Sequence, residues 1–478
     1  MEFKKHLEQN NEEMIFALQK AVRINSEEGE SYIGKDKSVF PFGQGIQEAL
    51  EATLAMAKEM GFQVKNVDNY GGHIDFEGTG DKIMAIIGHL DVVPAGSGWS
   101  HEPYGGEIVD GKLYGRGTTD NKGPIISCLY AMKALKDSGY KPLHTIRLIL
   151  GLDEETNWKG MDYYFSKEQR PDFGFTPDAD FPLINGEKGL LIFDFAKKFG
   201  KFPSDGLELR SLKGGTAPNS VADACRVIVN SKNPEQYDEV KDKIVAYREE
   251  TGYKLNFKGI GKSLEITSTG VAAHGAKPEK GLNAISIMID FLERLNFVND
   301  DQNDFISFYN QYIGFCLDGE NLGINLKDEP SGNLVFNVGM AEIGKEAGKL
   351  TINIRYPVTC TEEQVFEPIM PILAKYNMGL IKEDSKDPIY VDPQNPMIKT
   401  MMEIYQKETG DTDSQPLVIG GGTYARATPG VIAYGALFPG QEDVMHQKDE
   451  YMDLEKFKLM TKIYAEAIYK LSSEGYND

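Results

Sequence analysis

Hydrophobic positions along the chain recur in two rhythms. Near the N-terminus Phe3, Leu7, Met14, Ile15, Leu18 and Val22 fall at roughly helical spacing among charges, which predicts an amphipathic helix. Short, continuously apolar runs follow at 83–88, after the turn Gly78-Thr79-Gly80-Asp81, and at 144–151. Runs of this kind form strands buried on both faces. The first is paired with 73–77 as an expected hairpin, and helices are predicted over 122–137 and 158–166. Strands and helices in alternation imply an α/β unit, and the hairpin implies a mixed sheet.

The pattern changes between 190 and 388. Strand-like runs at 225–229, 264–267, 334–339 and 350–356 are interspersed with helical segments at 234–249, 282–295 and 361–376. This is an α+β pattern, open to a division into two related halves, although no exact repeat proves one. From 393 the α/β rhythm returns, with a helix at 397–407, a strand-like 417–419, the run Gly420-Gly421-Gly422, a strand at 431–436 and a closing helix at 453–472. The economical division is one domain made of 1–187 and 391–478, with 188–390 inserted as a second.

Composition narrows the partners. A chain of 478 residues is too long for one core, and 41% hydrophobic with 26% charged residues is ordinary for globular proteins. A net charge of −22 argues against nucleic acid or anionic membrane as a partner. No run has the length of a membrane span, and the first residues read as helix rather than signal peptide, so a cytoplasmic protein is expected. Cys128, Cys225, Cys316 and Cys360 are scattered, which argues against disulfides and structural zinc. Any metal must therefore be held by histidines and carboxylates.

Such residues gather at predicted strand ends and loops. His89 and Asp91 close the 83–88 run, and residues two apart on a strand point the same way. A ligating imidazole needs a carboxylate or carbonyl to fix its tautomer. Asp120 follows the glycine-rich Gly115-Arg116-Gly117-Thr118-Thr119 at a predicted helix start, where a plain N-cap is the bland alternative. Asp153-Glu154-Glu155 crowd three carboxylates at the carboxyl end of a strand, an awkward arrangement without a cation. Asp178 and Asp180 lie in a proline-stiffened loop, and His446 precedes the last helix; each alone would pass for a turn or a surface residue. Together, two histidines and several carboxylates suit two divalent ions sharing one carboxylate, with zinc, manganese or cobalt all compatible. One carboxylate must stay unligated as general base, and the tandem Glu154-Glu155 can divide those roles.

Gly88-His89-Leu90-Asp91, the 115–123 segment, Asp153-Glu154-Glu155-Thr156 and Met445-His446-Gln447 match, in order, motifs of the aminoacylase/carboxypeptidase/dipeptidase family of co-catalytic metallopeptidases. The resemblance spans essentially the whole chain. Val92–Gly96, Trp158–Tyr164 and Gly420–Arg426 look like its bacterial dipeptidase, carnosinase-like branch. It implies a mixed-sheet α/β catalytic domain binding two metal ions, zinc before manganese or cobalt, with a large inserted α+β lid. Asp120 resembles the bridging ligand; His89 and Asp178 complete one site, Glu155 and His446 the other. Glu154 matches the general base and Asp91 the carboxylate orienting His89. Ala272-Ala273-His274-Gly275 matches the lid histidine that polarises the scissile carbonyl, and the small residues around it suggest close approach to a ligand. Asn219, Arg355 and the backbone of Gly421, Gly422 and Thr423 resemble contacts to the substrate carboxylate. The insert of about 200 residues is similar to the lid whose second half replaces a dimer partner, which implies a monomer. The expected activity is hydrolysis of unblocked dipeptides in peptide catabolism. The alternatives are an N-acyl amino-acid amidohydrolase (deacetylase or desuccinylase) with the same centre and a non-catalytic metal-binding relative.

Overall fold

The computed structural model describes residues 2–201 and 205–473. Residues 1, 202–204 and 474–478, which the expected domain ranges include, lie outside the described residues. The chain divides into two compact units, one of Met1–Asn185, Val391–Leu417 and Gly422–Asp478, the other of Gly186–Tyr390 and Val418–Gly421. The assignment of all of 391–478 to one domain therefore differs at Val418–Gly421, where the backbone N–H of Lys188 donates to the Ile419 carbonyl at 2.9 Å.

In the first unit the strand Ile83–His89 lies between Phe173–Thr176 and Thr145–Gly151, parallel to both. Val431–Ala433 extends the parallel run beyond Phe173–Thr176. Gly71–Phe76 and Gln63–Val67 add antiparallel strands on the other side. The sheet is thus mixed, but the expected hairpin is absent: Thr145–Gly151 sits between Gly71–Phe76 and Ile83–His89. The 77–82 connection crosses that strand, anchored where Thr79 and Gly80 N–H groups donate to Pro142 and Leu143 carbonyls.

The unbroken apolar runs follow from burial on both faces. Met84, Ile86, Ile87, Leu148, Ile149 and Leu150 are all fully buried, each contributing about 1.5–3 kcal/mol through removal from water. Helix Lys122–Asp137 packs against Phe3–Val22 and Leu454–Ser473, and the latter against Pro396–Thr409, so both chain ends build one core. The parallel order also brings the carboxyl ends of Phe173–Thr176, Ile83–His89 and Thr145–Gly151 side by side, the edge where α/β proteins bind ligands.

The second unit is an eight-stranded antiparallel sheet in the order Lys254–Ile260, Ser263–Thr269, Ala224–Asn230, Glu208–Gly214, Val335–Ile343, Ala347–Tyr356, Gly189–Lys198 and Gly379–Lys386. Leu191, Phe193 and Phe195 alternate into its core with Leu350, Ile352 and Ile354, and helices Pro234–Thr251, Ala284–Leu292, Asp300–Tyr312 and Glu362–Lys375 belong to the same unit. On Ala347–Tyr356 the residues between those apolar ones, Thr351, Asn353 and Arg355, are also buried, giving this strand a polar second face.

Candidate metal centre

Every sequence-predicted metal ligand lies in the first unit, on the edge formed by the parallel strands. His89 ends its strand and is fully buried. Its Nε2 is 2.9 Å from Asp120 Oδ1 and 3.7 Å from Asp178 Oδ2. His446 Nε2 is 3.0 Å from Asp120 Oδ2 and 2.9 Å from Glu155 Oε1. Asp120 thus offers one oxygen to each histidine. It is not the helix cap: Asn121 occupies that position before Lys122–Asp137. Glu154 offers a carboxylate oxygen to the group of His89 and Asp178, while Glu155 belongs to the group of His89 and Asp120.

The supports differ in part from expectation. His89 Nδ1 lies 2.9 Å from the Asp91 backbone carbonyl and 3.4 Å from its carboxylate, so the main chain is the nearer orienting group. The Asp91 carboxylate instead accepts the Glu155 N–H at 3.0 Å and fixes the start of the acidic turn. Sequence reasoning missed Asn121, whose Oδ1 accepts the His89 N–H at 3.3 Å while its amide donates to the Pro177 carbonyl at 2.8 Å and Asp178 Oδ1 at 3.3 Å. One side chain thereby ties two ligand-bearing segments. Tyr424 packs edge-on against both His89 and Trp158, and Trp158 donates to the Glu154 carbonyl at 2.7 Å. His446 holds a left-handed backbone (φ 61°), a conformation uncommon for a non-glycine residue.

These distances test the fit to metal. Donors about 2.0–2.2 Å from one ion stand roughly 3–3.5 Å from each other. Separations of 2.9 and 3.7 Å around His89, and of 3.0 and 2.9 Å around His446, bracket that range, in two groups that share Asp120. Imidazole and carboxylate donors without thiolate suit zinc, manganese or cobalt.

The electrostatics point the same way. Burial raises the Glu154 carboxyl well above its usual range, with repulsion from Asp178 adding to it, and burial likewise raises Asp178 and Glu155. Burial opposes charge on His89, but Asp120, Asp178 and Asp91 overcome it and lift its pKa well above normal. Hydrogen bonds to Asp120 and Glu155 lift His446 to about 10. Burial opposes charge on Asp120 as well, but hydrogen bonds from His446 and His89 hold its carboxyl below the usual carboxylate range.

The second unit holds Asn219, His274, Arg355 and Gly421. The Gly275 N–H donates to the Asn219 carbonyl at 2.7 Å and the Val221 N–H to Ala273 at 2.9 Å, so the Asn219 and His274 loops are laced together. A Cβ on Gly275 would stand 2.9 Å from the Asn219 carbonyl oxygen. The absence of a Cβ at Gly275 thus allows the close approach of the Asn219 backbone. His274 Nδ1 accepts the Ala276 N–H at 3.1 Å, which leaves Nε2 as the donor. Burial lowers its pKa, and the Arg355 and Lys277 charges lower it further. Arg355 is 7% exposed, and a Cβ on Gly420 would lie 3.9 Å from its Cγ. The expected 421–423 group is divided: Gly421 belongs to this unit, Gly422 and Thr423 to the first. Thr423 Oγ1 accepts the Ala425 N–H at 3.1 Å, capping the turn Tyr424–Ala427.

All four cysteines are free, and no helix among the described residues is long and apolar enough to cross a membrane. The chain matches the model of Peptidase family M20/M25/M40 over residues 85–470. It is 34% identical over 479 aligned positions to the Beta-Ala-Xaa dipeptidase of Lactobacillus delbrueckii subsp. lactis, covering 99% of this chain and 99% of the other. The solved aminoacylhistidine dipeptidase of Vibrio alginolyticus shares its fold with a TM-score of 0.57 at 14% identity, covering 96% of each chain. Human carnosine dipeptidase 1 does so with a TM-score of 0.53 at 16% identity over 98% of each. The family resemblance carried by the motifs is borne out, and the chain belongs to the metal-dependent peptidases of family M20/M25/M40.

Proposed function

We propose that this peptidase is a dipeptidase acting on unblocked dipeptides through a pair of divalent ions, zinc in the first instance. The observation that carries the reading is the shared Asp120, one oxygen toward His89 and the other toward His446, with Glu154 beside them. The full-length similarity to a Beta-Ala-Xaa dipeptidase supports the substrate class.

His89, Asp120 and Asp178 would hold one ion and Asp120, Glu155 and His446 the other. Bound there, the ions would supply an acidified water and Lewis-acid polarisation of the scissile carbonyl. Glu154 then takes the proton from the attacking water and returns it to the leaving amine. His274 presents an N–H donor to the developing oxyanion. Asn219, Arg355 and the 421–423 backbone receive the free carboxylate. A dipeptide places a charge-assisted pair on Arg355, whereas a longer or amidated peptide places a neutral amide there, a hydrogen bond roughly half as strong.

A monomer in the cytoplasm fits this reading. The outermost strands of the second unit, Lys254–Ile260 and Gly379–Lys386, carry Lys254, Lys258, Lys382, Glu383 and Asp384, which discourages pairing with another chain.

The test compares an unblocked dipeptide with its N-acetyl and C-amidated forms under zinc, manganese and cobalt. Preference for the unblocked form is expected. Preference for the N-acetyl form would assign an amidohydrolase, and no turnover with any metal would assign a non-catalytic relative.

A further inference from the structure

Glu450 is fully buried, lies outside every motif, and collects an unusual number of donors. Its Oε2 accepts from Arg116 Nη1 at 2.7 Å and from the Gly117 N–H at 3.1 Å. Its Oε1 accepts the N–H groups of Thr119 at 2.8 Å and Asp120 at 3.2 Å, with Thr118 Oγ1 at 3.5 Å. Almost the whole 116–120 loop is therefore wrapped around one carboxylate. The wrap needs Gly117, whose φ of +85° turns its N–H inward and where a Cβ would meet Val92 at 2.9 Å.

The segment carrying Glu450 also carries His446. Between them Asp449, itself left-handed at φ 58°, accepts the Ser100 N–H and hydroxyl, both at 2.7 Å. After them Tyr451–Asp453 pairs with Lys112–Tyr114, and the Gly115 N–H donates to the Glu450 carbonyl at 2.9 Å. A single short stretch thus delivers one candidate ligand and grips the loop bearing another, 330 residues away in sequence.

We infer that Glu450 is a positioning residue of the metal centre, its carboxylate setting the 116–120 loop so that Asp120 shares its oxygens between the two ligand groups. The inference rests on the reading of Asp120 and His446 as ligands. A carboxylate is required because both oxygens receive donors. In Glu450→Gln the amide NH2 would meet the Arg116 guanidinium or backbone N–H groups, and the loop must shift to relieve that contact.

The test uses the full chain, stripped by chelator and titrated calorimetrically with Zn2+, with Co2+ visible absorption as a report on ligand geometry. The wild type is expected to bind two ions. Glu450→Gln is expected to bind at least one of them about 10–100-fold more weakly, the usual penalty for losing a group that orients a ligand, with an altered Co2+ spectrum. Unchanged affinities and spectrum overturn the inference. So does a lower melting temperature of the metal-free variant with wild-type metal affinity, which would mark Glu450 as merely structural. If Glu450→Gln does not fold, the double variant Arg116→Met/Glu450→Gln, which removes the mismatched cation, is read by the same criteria. Wild-type protein that binds no ion would instead overturn the metal reading on which this one stands.

Discussion

Replacing His274 by alanine separates a catalytic donor from a loop residue. The ring accepts the Ala276 N–H on Nδ1, so its free edge is an N–H, and its pKa is lowered by burial and by the Arg355 and Lys277 charges. At neutral pH it is a preoriented neutral donor. Removing one such donor from an oxyanion site costs about 10²–10³ in kcat, or ~2.7–4 kcal/mol of transition-state stabilisation. The scaffold should not notice, because Gly275 to Asn219 and Val221 to Ala273 are main-chain bonds that alanine keeps. The Ala276 N–H loses its acceptor at an exposed position, where water replaces it, and melting should change by less than about 1 kcal/mol. The assay measures kcat on an unblocked dipeptide, bound metal and thermal melting for wild type and His274→Ala together. The depressed pKa adds a sign: the ring is neutral above pH 6.5, so a neutral donor keeps kcat from falling as pH rises from 6.5 to 8. A loss below about 3-fold, against the 10²–10³ worked above, would refute the donor role. A kcat loss that tracks metal content would refute it equally.

Glu154→Ala should keep both ions and lose turnover by several orders of magnitude, while Glu155→Ala should lose metal; metal analysis showing the reverse would exchange the two roles. Arg355→Ala should narrow the kcat/KM gap between free-acid and C-amidated dipeptides, and an unchanged ratio would remove Arg355 from the carboxylate pocket. His73 gives a pH prediction remote from the metal centre: burial, assisted by the Arg147 charge, lowers its pKa from 6.5 to about 4 in the fold. The unfolded chain then takes up the proton first as pH drops, so stability present above pH 6.5 should be lost toward pH 4, by at most about 3 kcal/mol. Denaturant midpoints in His73→Gln should show a shallower fall over that range.

What the sequence reveals and what it hides divide along a physical line. A strand buried on both faces announces itself by an unbroken apolar run, so Ile83–His89 and Thr145–Gly151 were legible. Their neighbours were not, because hydrophobicity records burial and not pairing; the false hairpin with Gly71–Phe76 arose there. Helix Asp300–Tyr312 was hidden by its acidic opening, which resembles a solvated loop. Its evidence lay in the Asn299 cap on the Asp301 N–H and in Phe305, Ile306, Phe308 and Tyr309 turning inward.

The candidate centre divides in the same way. Its donors are chemically conspicuous, since carboxylates and histidines at strand ends are rarely ornamental in such density. The residues that aim them are conspicuous only in three dimensions. Asn121 passed for part of a turn, Asp91 works partly through its carbonyl, and Glu450 is one glutamate among many until five donors close on it. Donor type is a property of a residue, whereas aim is a property of the contacts around it. A variant that keeps every predicted ligand and alters only Asn121 or Glu450 should therefore retain the motifs and still bind metal poorly. Metal titration of Asn121→Ala beside Glu450→Gln examines that claim directly, and wild-type affinity in both would mean that the ligands aim themselves.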